Sequence, residues 1–119
     1  MLKTSLFIVA CAVSFASYAE PPKVSNGMFV DEYGMTLYTF DKDTVPGKSA
    51  CTGPCAAIWP PALAEANDQA SGDWSFVPRD DGRNQWAYKG HPLYRFSKDQ
   101  QPGQTNGSGF KGMWQIAKP

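Results

Sequence analysis

The chain has 119 residues, about one domain, and its 11 basic residues balance its 11 acidic ones, leaving a formal charge of zero with a single histidine. That balance removes any electrostatic case for nucleic acid or an anionic membrane surface as a partner.

Met1-Leu2-Lys3 is a short positive start, Leu6 to Phe15 is mostly apolar, and Ser17-Tyr18-Ala19 puts small residues three and one before a cut. Together they predict a secretory signal peptide over residues 1–19, too short to be a membrane span, with a mature chain from Glu20. A competing reading makes Cys11, after Ile8-Val9-Ala10, the lipid-bearing residue of an anchored protein. Cutting there leaves ten residues of signal, too few for a charged start and a full apolar region, so a soluble periplasmic or secreted form is preferred. Some hundred residues bury only a modest share of their surface, so covalent help is useful. The tryptophans, tyrosines and phenylalanines of the mature chain must supply most of the core.

Residues 20–26, with Pro21-Pro22, read as an extended leader before a single domain over 27–119. Met28 to Asp31 and Met35 to Phe40 are short strand-like runs around Glu32-Tyr33-Gly34, a hairpin signal. Val45-Pro46-Gly47-Lys48 has the chemistry of a type II turn. At most a turn or two of helix fits between Cys55 and the Pro60-Pro61 stop, and a further helical turn fits at Ala62 to Ala66 within a surface loop. Trp74 to Val77 and Asn84 to Tyr88 form a second hairpin around Asp81-Gly82. Pro92 to Phe96 and Met113 to Ala117 complete six short strands, and the fold class is all-β with little helix.

The middle of the chain is written twice. Gly34, Leu37, Tyr38, Phe40 and Asp43 return as Gly90, Leu93, Tyr94, Phe96 and Asp99, an offset of 90 − 34 = 56. The match continues through Pro46-Gly47 and Gly53 against Pro102-Gly103 and Gly109, so residues 34–53 and 90–109 are internal repeats. Tyrosine and phenylalanine on alternate strand positions suit a packed core better than a ligand platform. Asp43 and Asp99, each ahead of a Pro-Gly turn, suit local tethering of backbone amides.

These motifs, with Cys51, Cys55 and Trp59-Pro60-Pro61, resemble the bacterial secreted-repeat lipoprotein family marked by a tyrosine and aromatic motif ending in aspartate. Gln85-Trp86 and Gly112-x-Trp114 extend the likeness over Gly27 to Pro119. The resemblance implies an exported or lipid-anchored protein and carries no established activity.

After signal removal Cys51 and Cys55 are the two cysteines left, and in an oxidising compartment they are expected to form a structural disulfide that stabilises by roughly 2 kcal/mol. A sharper alternative is a redox or copper-handling site, with Cys51, Cys55 and His91 as ligands and Met28, Met35 or Met113 completing a Cu(I) sphere, as in copper-delivery proteins of the Sco type. Gly53-Pro54-Cys55 also echoes thioredoxin-like sites, which need two intervening residues and an α/β fold. Trp59 and Trp86 are candidates for a ligand surface, provided they are exposed. Asp41, Asp43, Asp80, Asp81 and Asp99 lack the spacing of a calcium loop. No nucleophile, phosphate-loop or zinc signature is present, so the expected function is a non-enzymatic binding or envelope-interaction module without a cofactor.

Overall fold

The computed structural model describes residues 21–119. The expected signal peptide and the lipidation reading at Cys11 lie outside the described residues.

Among the described residues, seven short strands form three small antiparallel sheets, joined by one five-residue α-helix. Strands β1 (Lys23–Ser25) and β2 (Met28–Val30) make the first hairpin. Strand β3 (Tyr38–Phe40) pairs with the last strand, β7 (Trp114–Ile116), so the two ends of the repeat region meet. Strands β4 (Trp74–Pro78), β5 (Asn84–Tyr88) and the two-residue β6 (His91–Pro92) form the third sheet. Helix α1 (Pro54–Ile58) lies between the first copy's turn and Trp59.

The chain departs from the expected layout in two places. The stretch read as a leader is a paired strand from Lys23 onward, because Asn26-Gly27 makes a two-residue loop with φ of 53° and 77°. Positive φ at both loop positions is the type I′ geometry that matches strand twist, and Asn-Gly is its strongest sequence signal. The helical turn expected at Ala62 to Ala66 is absent. Ala62 instead exchanges backbone hydrogen bonds with the second half: its N–H donates to the Leu93 carbonyl (2.9 Å) and its carbonyl accepts from Trp86 (2.8 Å).

That exchange has a counterpart in the other half. Ala117 donates to Leu37 (2.9 Å) and accepts from Phe29 (2.9 Å). Leu37 and Leu93 in turn donate to Phe29 and Trp86, each at 3.0 Å. The repeat is therefore a three-dimensional unit as well as a sequence one: a hairpin, a motif strand, a turn loop and a tryptophan segment. Each tryptophan segment lies against the motif strand of the other copy, so neither half closes its own backbone hydrogen bonds. Phe29, Leu37, Ala62, Leu93 and Ala117 form one buried cluster where these segments meet. Tyr38, Cys51, Trp59, Tyr94, Phe96 and Trp114 form the other.

Candidate functional site

Where the two motif strands cross, Tyr38 and Tyr94 exchange backbone hydrogen bonds of 2.8 and 2.9 Å, and an approximate twofold axis passes between them. Alternation then sends both phenols into the interior, where both residues are fully buried. The Tyr38 hydroxyl donates to Asp99 Oδ2 at 2.5 Å, and the Tyr94 hydroxyl donates to Asp43 Oδ2 at 2.6 Å. Each copy's tyrosine thus bonds the other copy's aspartate.

The second carboxylate oxygens do the tethering expected from sequence. Asp43 Oδ1 accepts from the Ala50 amide (2.6 Å) and Asp99 Oδ1 from the Asn106 amide (2.9 Å), each seven residues downstream. Both aspartates therefore close their own turn loop and hold the partner copy's strand. Each phenol oxygen receives one more bond, Tyr38 from the Gly107 amide (3.2 Å) and Tyr94 from the Ser49 hydroxyl (2.6 Å), since the Tyr94 hydrogen is committed to Asp43. Burial first, and then the adjacent carboxylate, push both phenols well above the ordinary tyrosine range.

The rings obey the same symmetry. Trp59 and Trp114 stack with centroids 3.8 Å apart and planes 3° from parallel. Phe96 lies on the outer face of Trp59 (4.2 Å, 23°) and Phe40 on that of Trp114 (4.2 Å, 12°), giving a four-ring column. Tyr38 meets Trp59 edge-on at 5.4 Å, and Tyr94 meets Trp114 edge-on at 5.2 Å. The tyrosine contacts have the edge geometry that the ring quadrupole favours. Gly107 has to be glycine for this packing, because a Cβ there would stand 2.7 Å from the Trp59 ring.

The expectation of an exposed tryptophan surface is corrected here. Trp59 and Trp86 are each only 3% exposed: the first is inside the ring column, and the second packs against Trp74 and Phe76 on β4. The scaffold residues are accounted for as well. Leu37 and Leu93 are buried beside the tyrosines, Phe96 is buried and Phe40 half-buried within the column, and Gly34 and Gly90 adopt φ of 83° and 84° in turns.

Cys51 and Cys55 are joined in a disulfide with Cα atoms 5.1 Å apart. Bridged sulfurs present no thiolate to a copper ion. His91 lines a different surface depression, with Thr39, Tyr88 and Leu93. Met35 is buried beside the Asp31 turn, and Met113 packs on the aromatic cluster. Among the described residues, no three His, Cys, Asp or Glu side chains gather as a metal cage.

A depression of about 710 Å³ opens to solvent between the first copy's disulfide loop and the β4–β5 hairpin, lined by Lys48, Ser49, Thr52, Gly53, Arg79 and Asp80 among others. Arg79 is positioned by the β4–β5 turn and bonds both Gln85 Oε1 (2.9 Å) and the Cys51 carbonyl (3.3 Å), so it connects the disulfide loop to the second half. The sequence carries no signal for the contacts of Arg79, Ser49 and Asn106, and Gln85 and Gly107 stand in it only as part of Gln85-Trp86 and of a glycine-rich stretch. Trp114 was noted only as part of Gly112-x-Trp114, although a signal for its pairing existed. Trp59-x-x-Ala62 matches Trp114-x-x-Ala117 at an offset of 114 − 59 = 55, one less than the main repeat, which hid the tryptophan pair from an alignment held at 56.

A family model described as a secreted repeat of unknown function matches residues 23–63 and again residues 75–118, one match for each structural half. No curated protein and no solved structure matches the chain. Among the described residues, no helix is long and apolar enough to cross a membrane.

Proposed function

Because this chain belongs to the secreted-repeat family, we propose that it is an exported, non-enzymatic module that binds a ligand of the cell envelope through the depression beside the disulfide loop. One observation carries this reading. The motif tyrosines and aspartates of the two copies are consumed in holding the halves together, whereas the depression is lined by the first copy's loop around the disulfide and helix α1 and by Pro78 to Asp81 of the second half's hairpin. The first copy has Cys51, Cys55 and helix α1 where the second has Gly107, Gly109 and a short 3-10 turn. The disulfide, helix α1 and the Arg79 bonds make that wall rigid, which lowers the entropy lost on binding. Lys48, Arg79, Asp80 and Asp81 place both charge signs around Pro61, Leu63 and Pro78, a lining suited to a neutral polar ligand such as an oligosaccharide or a short peptide.

The test is amide chemical-shift perturbation of the labelled chain titrated separately with peptidoglycan-derived oligosaccharides and with their stem peptides. Shifts gathered at residues 47–56 and 78–81, and lost in Thr52→Trp, which fills the depression, support the reading. Shifts elsewhere, or none with either probe, overturn it.

A further inference from the structure

The aromatic column and its tyrosine-aspartate pairs have a chemistry that packing alone does not require. Two indoles in face contact share a positive hole, which makes the pair easier to oxidise than a lone tryptophan. At each end a phenol touches an indole edge, with ring centroids 5.4 and 5.2 Å apart. Each phenol already holds its hydrogen against a carboxylate oxygen, at 2.5 and 2.6 Å. A neutral tyrosine loses an electron readily when a base takes its proton in the same event, and a carboxylate at this distance is such a base. Both phenols are fully buried, which keeps a radical formed there from meeting water or a second radical.

From this geometry we propose that the centre of the fold is a one-electron redox site, in which the Trp59–Trp114 pair is oxidised and the hole settles as a neutral radical on Tyr38 or Tyr94.

The step balances as follows. An external one-electron oxidant, of the class of a peroxide-derived ferryl haem or a photo-oxidised ruthenium complex, takes one electron from the indole pair and is reduced by one. An electron then passes from the Tyr38 phenol to the indole cation as the phenolic proton moves to Oδ2 of Asp99. The products are intact indoles, a phenoxyl radical and a neutral carboxyl group. A thiol or ascorbate-type reductant returns one electron, and the proton goes back to the phenol. Tyr94 and Asp43 do the same at the other end. Access from outside is short, because Phe110, 37% exposed, contacts both Trp59 (5.7 Å) and Phe96 (5.7 Å). The reduced disulfide is not needed, which separates this site from any cysteine-based redox role.

The experiment is flash-quench oxidation of the full chain by a ruthenium complex, with the radical identified by transient absorption and electron paramagnetic resonance. A Tyr33→Phe background removes an exposed tyrosine that would report on its own. The expected product is a neutral tyrosyl radical that forms more slowly in D₂O, because its proton moves with the electron. In Asp43→Asn/Asp99→Asn, which keeps the shape and removes the base, tyrosine oxidation should slow by about a hundredfold, the low end of a positioned base's contribution, and a tryptophan radical should persist. A tryptophan radical as the final product in the parent chain, or tyrosyl formation at equal rates in H₂O and D₂O, overturns the proposal. That second comparison needs no variant, so it stands even if the double substitution fails to fold.

Discussion

The crossed pairing of tyrosines and aspartates makes a prediction that no same-copy arrangement shares. Removing the Tyr38 hydroxyl (Tyr38→Phe) leaves Asp99 Oδ2 without its partner in a residue only 6% exposed. A hydrogen bond to a charged acceptor contributes roughly 1.5–3 kcal/mol, so Tyr38→Phe should cost about 2 kcal/mol. Each single change also frees one backbone amide, Gly107 in Tyr38→Phe and Asn106 in Asp99→Ala. A double-mutant cycle cancels these losses and isolates the pair, with an expected coupling of about 2 kcal/mol between positions 38 and 99. Tyr38 and Asp43 belong to the same sequence copy but share no bond, so their cycle should close within about 0.5 kcal/mol. Urea unfolding followed by tryptophan fluorescence measures both, since Trp59 and Trp114 sit beside the tyrosines. The mirror cycles, Tyr94 with Asp43 and Tyr94 with Asp99, should repeat the contrast. Coupling at the same-copy pairs equal to that at the crossed pairs would refute the exchange.

Three further outcomes are expected. Both phenols are raised above their ordinary value of 10.0, so their stabilising effect is fully present below about pH 10. Above that pH the unfolded chain releases two protons that the folded chain keeps, and the fall in stability should steepen toward about 3 kcal/mol per pH unit; chemical unfolding from pH 9 to 11 should show this steepening past pH 10, and Tyr38→Phe/Tyr94→Phe should lack it. Gly107→Ala forces a methyl group against the Trp59 ring and should cost roughly 1–3 kcal/mol, part of which a second change, Trp59→Phe, should restore in the same unfolding assay. Reducing the Cys51–Cys55 bridge should cost about 2 kcal/mol by the chain-entropy estimate, visible as a lower urea midpoint with dithiothreitol, and an unchanged midpoint would assign the loop's rigidity to the Arg79 bonds instead.

Much of the fold was legible because it rests on local chemistry. Asp81-Gly82 marks its hairpin, and Pro46-Gly47 marks a turn closed by the Lys48 amide on the Val45 carbonyl at 3.2 Å. Strand β1 pairs through Asn26-Gly27, as strong a hairpin signal, although Pro21-Pro22 reads as the start of an extended leader. The short helix before Pro60-Pro61 was expected for the right reason, whereas the turn at Ala62 to Ala66 was not formed, because Ala62 is drawn into pairing with Leu93 and Trp86.

By itself the sequence determined that the chain is duplicated, all-β, rich in buried aromatic rings and stapled between two cysteines, since each of these follows from spacing, turn chemistry or composition. It also identified Asp43 and Asp99 as tethers of their own loops. Only the tertiary structure decided which copy's tyrosine meets which aspartate, because a repeat aligned on itself is equally consistent with pairing within a copy or across copies. Crossing wins because the motif strands run antiparallel through the axis between Tyr38 and Tyr94. Each hydroxyl is thereby carried toward the opposite turn loop, where the carboxylate it meets belongs to the other half. The same axis brings Trp59 onto Trp114, two residues 55 positions apart whose stacking no local pattern encodes.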